Sequence, residues 1–324
     1  MSRPSHKPTP EKPNMVFVCS AARSGSTMLD LLVGGHSQLA SLGEFSFLGK
    51  ALTLEQPCTC GAKVTECPSW ERVLTTIKED KGIDLLATPY ALEDWFARAS
   101  TVIDRNHQTS FYELRARLAS ALCDVRYGAN ANGALKLPLQ PALRRAVRNV
   151  SYLYGAVAKS WGTHTLVDSS KNVHKALALF EAMPDRVKVL YLSRDGRGVY
   201  HSRRSSGFER SEALSGWRRY NDRAQRLLSR NIAPDSLLRL HYEQVVDDPE
   251  AQVKRICDFV GVDFEPDMLL LKPANSHLVN GNDMRLKGTQ ELKLDERWKR
   301  ELVGDELEWF TANERGMNAR LGYR

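Results

Sequence analysis

Short apolar runs alternate with helix-like segments along most of this chain, and this alternation restricts the fold more than any other feature. The apolar runs are typical of buried strands, whereas the helix-like segments carry their apolar residues on one face. We predict strands at residues 15–19, 163–168, 187–193 and 236–240, and helices at 28–33, 171–183, 195–206, 209–230 and 249–260. Strands that alternate with helices form a parallel sheet with helices on both faces. The sequence therefore predicts an α/β fold.

The regions outside this alternation predict the domain organisation. Residues 1–14 contain four prolines and no apolar core, so we expect a disordered arm and no signal peptide. Residues 15–324 are long enough to form a single domain with a substantial core. Within it, residues from about 71 to 160 have apolar side chains at helical spacing. We therefore predict a mostly helical insertion there.

The net charge limits the kinds of ligand to expect, and the cysteine content indicates the cellular compartment. The net charge of +7 and the pI of about 9.1 suit an anionic ligand, and they would equally suit nucleic acid or an acidic membrane surface. Six cysteines are too few for a disulfide scaffold in a chain of 324 residues, so we expect the reducing cytoplasm. No run of about 18 apolar residues occurs, so we expect no transmembrane segment.

The first predicted strand leads into a small polar loop that is typical of anion binding. Residues 20–27 read SAARSGST and align with the phosphate loop GxxxxGK(S/T) of nucleotide-binding proteins. Gly25 and Thr27 match the motif, whereas serines replace the first glycine and, at Ser26, the lysine. Such a loop aims backbone N–H groups and a helix N-terminus at an anion, and Arg23 restores a positive charge. The predicted sheet is therefore P-loop-like.

A second segment of similar character begins where the strand at 187–193 ends. Arg194 lies at the junction of this strand with the next helix. Gly198, Ser202 and Ser206 follow at a spacing of four residues and so share one helix face. The glycine permits close approach of a ligand, and an arginine beside a serine hydroxyl suits a phosphate monoester.

Taken together, the two segments resemble the sulfotransferases that use 3′-phosphoadenosine 5′-phosphosulfate (PAPS). Residues 16–29, VFVCSAARSGSTML, resemble their 5′-phosphosulfate loop, and residues 190–202, LYLSRDGRGVYHS, resemble their 3′-phosphate segment. This order, with a separation of about 170 residues, is far more specific than either segment alone. The resemblance covers most of residues 15–290. It is closest to a bacterial branch that is similar to tyrosylprotein sulfotransferases.

The resemblance implies a set of residues that bind the donor. The residues that match its 5′-phosphosulfate loop are Arg23, Ser24, Gly25, Ser26 and Thr27. Arg194 and Ser202 match the residues that hold the 3′-phosphate, and Tyr242 matches a position near the adenosine. Tyrosylprotein sulfotransferases have an arginine where this chain has Ser206, so one phosphate contact departs from the pattern.

A late segment is similar to the loop that closes over the nucleotide in this family. It covers residues 276–287 and reads SHLVNGNDMRLK. Asn282, through its side chain, and the cationic Arg285 and Lys287 are the residues that the resemblance brings within reach of a phosphate.

The resemblance also implies the residues that carry out the chemistry. Glu44 matches the general base of tyrosylprotein sulfotransferases, for which a raised pKa would suit work near neutral pH. Lys171 matches the lysine that neutralises the bridging oxygen of the leaving group as the S–O bond breaks. We add Arg23 as a third catalytic residue because of its charge at the phosphosulfate.

One departure bears on the identity of the base. Small-molecule sulfotransferases have a catalytic histidine two residues after the lysine, and this chain has Val173 there. The departure favours a carboxylate base. His174 and His36 remain weaker substitutes, since a lone histidine is usually structural or exposed.

Three cysteines cluster between residues 55 and 70, at Cys58, Cys60 and Cys67. They could bind a metal or form a disulfide, but a zinc site usually needs four ligands and prefers a C-x₂₋₄-C spacing. A sulfuryl group carries less negative charge than a phosphoryl group. Cationic side chains can therefore stabilise its transfer without the metal ions that phosphoryl transfer uses. We therefore predict no metal ligands and no metal requirement.

Other functions remain open. A P-loop kinase or NTPase would need the lysine that Ser26 replaces, and a nucleic-acid-binding protein would use the basic helix at 197–230, which has few aromatic residues and no recognition motif. A non-catalytic nucleotide-binding module would not need Glu44 and Lys171. We predict a sulfotransferase that acts on a hydroxyl or amine acceptor of unknown class, without a nucleic-acid partner. Assembly as a homodimer is left open.

Overall fold

The computed structural model describes residues 12–92, 110–130, 138, 141–272, 276–287 and 291–324. Most of the predicted N-terminal arm, residues 1–11, lies outside the described residues. The division of the chain into an arm and one domain therefore stays a prediction.

A parallel sheet forms the centre of the described structure. Its five strands are β1 (Asn14–Ser20), β2 (Leu39–Ser41), β3 (Thr165–Asp168), β4 (Val187–Ser193) and β5 (Leu237–His241). Within the described residues they lie in the order β2-β3-β1-β4-β5, and every pairing is parallel. The predicted α/β fold is thus confirmed. The strand β2 was not predicted, because its three residues are too short to show a pattern.

The sheet is buried on both faces, which explains the continuous apolar run of β1. Alternate side chains of a strand point to opposite faces. Met15 and Phe17 accordingly belong to one hydrophobic core, whereas Val16 and Val18 belong to the other. Strands covered on both sides lack the alternation of apolar and polar residues seen in half-exposed sheets.

Helices cover both faces. Their bounds are α1 (Ser26–Gly34), α2 (Leu48–Thr53), α3 (Pro68–Lys81), α4 (Ser110–Asn130), α5 (Pro141–Trp161), α6 (Val173–Ala182), α7 (Gly196–Arg204), α8 (Arg210–Asn231), α9 (Tyr242–Asp247), α10 (Pro249–Val260), α11 (Trp298–Glu301), α12 (Gly304–Asn313) and α13 (Met317–Arg320). Helices α1, α9 and α10 supply one core, and α3, α5, α6 and α8 supply the other. None of the described helices is both long and apolar enough to cross a membrane.

The helices that follow β3 and β4 begin at side-chain caps. Asn172 accepts hydrogen bonds from the backbone N–H groups of His174 and Lys175 at the start of α6. Asp195 accepts one from the N–H of Arg197 at the start of α7. These caps satisfy N–H groups that have no partner within a helix. They fix the chain where it leaves the carboxyl edge of the sheet, the edge at which parallel α/β proteins bind ligands.

Candidate active site

The loop between β1 and α1 is a tight turn that leads directly into a helix N-terminus. Arg23 and Gly25 have positive φ angles of 70° and 90°, and Gly25 is the N-cap of α1. The first N–H groups of a helix lack intrahelical partners, so they are directed outward at this turn. The buried hydroxyl of Ser24 has no hydrogen-bond partner among the described residues. The loop therefore offers several donors to an anion.

Tyr242 fixes the shape of this loop from the end of β5, which is separated from β1 by β4 in the sheet. It is the first residue of α9, directly after β5, and its ring packs against Gly25. A Cβ atom at position 25 would lie 2.5 Å from the tyrosine ring. Glycine is thus required by the left-handed φ angle and by the close packing of the ring.

Arg194, at the end of β4, joins the second predicted segment to the first. Only 6% of this residue is exposed. Its Nη1 donates to the carbonyl oxygen of Arg23 over 3.0 Å, and its guanidinium lies 4.4 Å from the centre of the Tyr242 ring. The two segments predicted to bind the two ends of a donor are therefore in direct contact.

The charge of Arg194 is balanced by an acidic group from the C-terminal part of the chain. Nη2 of Arg194 lies 3.2 Å from the Oδ2 atom of Asp295. Hydrogen bonds from Arg297, together with the nearby charge of Arg194, hold the pKa of Asp295 well below its usual range. A carboxylate thus occupies the position beside Arg194 that a phosphate could take.

Small residues on and just after α7 lie beside Arg194 and Arg23. A Cβ atom at Gly198 would be 3.2 Å from the Nε atom of Arg194, so a larger residue would crowd the guanidinium. The Ser206 hydroxyl donates to the Ser202 carbonyl and accepts a 3.1 Å hydrogen bond from Nη2 of Arg23. Ser206, which departs from the family pattern, is therefore the partner of the loop arginine.

Glu44 and Lys171 meet across the ends of β2 and β3. The Nζ atom of Lys171 lies 2.5 Å from Oε1 of Glu44, and the two side chains are 19% and 14% exposed. The other carboxylate oxygen, Oε2, accepts a 3.0 Å hydrogen bond from Nδ2 of Asn280. A partly buried ion pair of this kind places an acid–base group and a cation at one point.

The backbone around this pair is held in an uncommon conformation. Lys171 has a φ of 65°, a left-handed conformation that is rare for residues other than glycine, asparagine and aspartate. The Tyr220 hydroxyl donates to the Lys171 carbonyl over 2.6 Å, and Ser169 N–H donates to the Gly43 carbonyl over 2.9 Å. Such strain persists only where neighbouring contacts impose it. In this conformation the Lys171 side chain reaches Glu44.

A buried ion pair lies next to the segments that carry Lys171 and Glu44. Lys175 and Asp168 have fully buried side chains and are 3.1 Å apart. Asp168 also accepts hydrogen bonds from the Tyr154 hydroxyl and the Ser170 N–H, and Lys175 donates to the Ser46 hydroxyl. The pair ties the end of β3 to α6 and to the turn after Glu44.

Asp30 is a buried acid outside the predicted set of site residues. It lies in α1 and accepts hydrogen bonds from the Ser41 and Ser169 hydroxyls. Burial raises the pKa of Asp30 to about 7, and the charges of Lys171 and Glu44 lie close enough to affect it. An acidic residue inside the apolar run MLDLLV was the signal that could have identified it.

The late segment approaches the site through its backbone as well as its side chains. Asn282 donates its N–H to the Thr27 hydroxyl, while its side chain caps a short 3₁₀ helix by accepting from Met284 N–H. Lys287, at the end of that helix, is exposed. The segment therefore lies against the loop at residues 20–27, referred to below as the phosphate loop.

Arg285 is placed differently from the sequence expectation. It is buried, and its Nη1 donates to the carbonyl oxygens of Pro57 and Leu278. Its Nε atom has no partner among the described residues, and burial lowers the pKa of Arg285 below its usual value. The contacts of Nη1 connect the late segment to the cysteine loop.

The two histidines considered as substitute bases are held by other groups. The Nδ1 atom of His36 accepts from Gln38 N–H, so its Nε2 carries the proton that is donated to the Asp263 carbonyl. The Nε2 atom of His174 lies 2.9 Å from Oδ1 of Asp124. These contacts are typical of structural histidines.

Comparisons with known proteins agree with this architecture. A model of the sulfotransferase family matches residues 13–266. A Caenorhabditis briggsae protein, provisionally named a protein-tyrosine sulfotransferase, is 26% identical over 109 residues. These residues cover 32% of this chain and 39% of that protein, so the match spans about two fifths of the relative's length.

Solved structures include similar folds. The sulfotransferase domain of the Synechococcus PCC 7002 olefin synthase has a TM-score of 0.52 and 20% identity, and the match covers 100% of this chain and 98% of that domain. The sulfotransferase domain from the curacin biosynthetic pathway has a TM-score of 0.49 and 18% identity, with coverage of 96% and 98%. The first of these shows that the overall fold is shared.

Proposed function

The chain belongs to the sulfotransferase family, and from this premise we propose that it transfers a sulfuryl group from PAPS to a hydroxyl or amine acceptor. The observation that carries the proposal is the contact between Arg194 and the carbonyl of Arg23. It unites two anion-binding segments that are separated by about 170 residues. One ligand with negative groups at both ends of an adenosine, such as PAPS, would suit both segments at once.

In this proposal the 5′-phosphosulfate binds the loop at 20–27, and the 3′-phosphate binds Arg194 and Ser202. The unpartnered hydroxyl of Ser24 supports the first assignment, because a buried donor without a partner is costly. The carboxylate of Asp295 supports the second, since it balances the charge that a phosphate would balance. Asp295 must move away from Arg194 when the donor binds, because two anions would otherwise compete for one guanidinium.

The proposed reaction is an in-line displacement at sulfur. The acceptor oxygen or nitrogen forms the new bond to sulfur, the bond from sulfur to the bridging phosphate oxygen breaks, and Glu44 takes the acceptor's proton. Lys171 stabilises the negative charge on the departing phosphate oxygen. The 2.5 Å ion pair supports these linked roles: when Lys171 turns to the leaving group, it releases Glu44 to act as the base.

The donor assignment is tested by ligand-dependent thermal stability. We expect 3′-phosphoadenosine 5′-phosphate (PAP), the desulfated product, to raise the melting temperature more than ATP with magnesium at equal concentration. A ligand at a hundredfold excess over its Kd stabilises the folded state by about 2.7 kcal/mol. Equal protection by the two ligands would favour a P-loop kinase or NTPase.

The catalytic assignment is tested with matched variants. We expect Glu44→Gln and Lys171→Met each to reduce turnover of PAPS by about 10²–10⁴-fold, the range for loss of acid–base or charge-stabilising groups. Protection by PAP should remain in Glu44→Gln and should fall less than turnover in Lys171→Met, because the loop at 20–27 supplies the other proposed contacts to the 5′-phosphate that Lys171 touches. The controls are Glu250→Gln and Lys254→Met, an exposed ion pair on α10. Full activity of Glu44→Gln would remove its role as base.

A further inference from the structure

Four potential metal ligands converge at one point beside the active site. The three cysteines of the loop, Cys58, Cys60 and Cys67, are joined there by His277 from the late segment, and their ligand atoms all lie within 4.8 Å of one another. Nδ1 of His277 is 3.5 Å from Sγ of Cys58 and 3.3 Å from Sγ of Cys67. The sulfurs of Cys60 and Cys67 are 3.5 Å apart.

The separations of 3.3–3.5 Å among these atoms are close to the edges of a tetrahedral zinc site, and all four ligand atoms lie within 4.8 Å of one another. Zinc bonds to sulfur at about 2.3 Å and to imidazole nitrogen at about 2.0–2.1 Å, so neighbouring ligand atoms lie roughly 3.5–3.8 Å apart. We propose that Cys58, Cys60, Cys67 and His277 bind one structural Zn²⁺ ion. The three clustered thiols alone are one ligand short of a structural zinc site, and the fourth ligand is 210 residues beyond Cys67, so the expectation of no metal ligands is revised here.

The local backbone places the thiols of Cys58 and Cys67 in the interior and leaves Cys60 exposed beside them. Cys58 N–H bonds to the Ala62 carbonyl and Gly61 N–H bonds to the Cys58 carbonyl, which closes a turn at Gly61 with a φ of 92°. Cys67 is the N-cap of α3, where the helix dipole stabilises a negatively charged sulfur. Cys58 and Cys67 are fully buried. The loop thus holds its thiols without needing the ion to shape every turn.

Neighbouring side chains hold the histidine in its ligand orientation. Nε1 of Trp70 donates to the His277 carbonyl over 3.1 Å, and the Trp161 ring contacts the imidazole edge-on with centroids 5.3 Å apart. The Thr59 hydroxyl donates to the Ser276 carbonyl. Contacts around the ligands of this kind orient them and tune the affinity of metal sites.

Charge also fits the proposed ion. Three thiolates and one Zn²⁺ carry a net charge of about −1, which needs a nearby cation when it is buried. Arg285 supplies one, since its buried guanidinium bonds to the carbonyl of Pro57, the residue before Cys58. This explains why Arg285 points to the cysteine loop instead of the phosphate loop.

A disulfide accounts for less of the geometry. It would use only two of the sulfurs and would need an S–S distance of about 2.0 Å, whereas Cys60 and Cys67 are 3.5 Å apart and all cysteines are free. It would also not explain why the His277 imidazole lies within 3.5 Å of the sulfurs of both Cys58 and Cys67. Four protein ligands leave no open coordination position, so the ion is structural and takes no part in sulfuryl transfer.

The ion would fix the late segment against the proposed base. Two residues after His277, Val279 donates its N–H to the Leu42 carbonyl and accepts from Glu44 N–H. The next residue, Asn280, hydrogen-bonds the Glu44 carboxylate. Zinc at the cysteine loop therefore anchors the segment that orients Glu44.

The test is metal content, which is independent of enzymatic activity. We expect the full-length, tag-free protein to contain one zinc per chain by plasma mass spectrometry, and Co²⁺ in place of zinc to give the visible absorption of tetrahedral cobalt thiolate. His277→Ala should weaken cobalt affinity by more than about tenfold. His277→Cys should restore a four-ligand site, and Cys123→Ser, a buried cysteine of α4 outside the cluster, should keep the metal.

Several outcomes would overturn the proposal. These are a zinc content well below one per chain in folded, reduced protein that also fails to take up Co²⁺, an unchanged cobalt affinity in His277→Ala, or a disulfide that joins two of the three cysteines in the purified chain. Hydrogen exchange tests the anchoring role separately. Chelation should increase exchange in residues 276–287 while α10 keeps its protection, and unchanged exchange would contradict that role.

Discussion

At the residue scale, Arg194 is the side chain on which the proposed donor site depends most. Its guanidinium contacts the phosphate loop, an aromatic ring and a carboxylate at the same time. Such a side chain can exchange one anionic partner for another without changing its other contacts. This combination suits a residue that recognises one phosphate of a nucleotide.

This role can be measured by comparing two ligands that differ in one phosphate. PAP carries a 3′-phosphate and AMP does not. We expect the wild-type protein to bind PAP more tightly than AMP in calorimetric titration. In Arg194→Ala the ratio of the two affinities should fall by about 10- to 100-fold, the contribution expected of a hydrogen bond to a charged group. Because the ratio of the two affinities is compared, a general weakening of the loop cancels. An unchanged ratio would assign the 3′-phosphate to other residues.

Asp30 provides a second test at the residue scale. Its pKa in the folded protein, about 7, lies above the ordinary value of 3.8, so the folded state binds more protons than the unfolded state between these values. The contribution of Asp30 to stability is therefore complete below about pH 4 and is lost as the pH rises through about 7. The loss amounts to at most about 4 kcal/mol.

We expect Asp30→Asn to remove this pH dependence. Relative to the wild type, the variant should gain stability in urea unfolding as the pH is raised from about 4 to 8, because asparagine has no proton to lose. Parallel stability curves for the two proteins would show that Asp30 is ionised at an ordinary pH.

At the scale of secondary-structure elements, the buried pair of Asp168 and Lys175 connects β3 with α6. Removal of one member of a buried ion pair leaves the other charge without compensation, at a cost of about 3–5 kcal/mol. We expect Asp168→Asn and Lys175→Met each to destabilise the protein in urea unfolding. The double variant should lose clearly less than the sum of the two single losses. Additive losses would mean that the two charges do not interact.

The elements also show what the sequence could predict. The strands from β3 to β5 and the helices α6, α7, α8 and α10 follow the predicted ranges closely, because buried strands and amphipathic helices have distinct periods. The three-residue β2 was missed because no period can be read from so short a run. Element type is thus a local property that the sequence carries directly.

Candidate site residues were predictable to a different degree. The family resemblance implied Glu44 and Lys171 separately, but the 2.5 Å contact between them depends on the order of β2 and β3 in the sheet. In the same way, nothing in the sequence near Cys58 indicates His277. Contacts between distant parts of the chain depend on topology, which local patterns do not specify.

At the scale of the whole molecule, the phosphate loop is the point where distant regions meet. Arg194 reaches it from β4, Tyr242 from the end of β5, and Asn282 from the late segment. Asp295, in the C-terminal part, completes the surroundings of Arg194. We therefore expect donor binding to order these regions together, because we propose that a single donor molecule spans both segments.

A crystal structure of the protein with PAP tests whether one donor molecule spans both segments. We expect a single PAP molecule whose 5′-phosphate receives hydrogen bonds from residues 23–27 and whose 3′-phosphate contacts Arg194 and Ser202, with Asp295 displaced from the guanidinium. A nucleotide that leaves either segment without contact to a phosphate would contradict it.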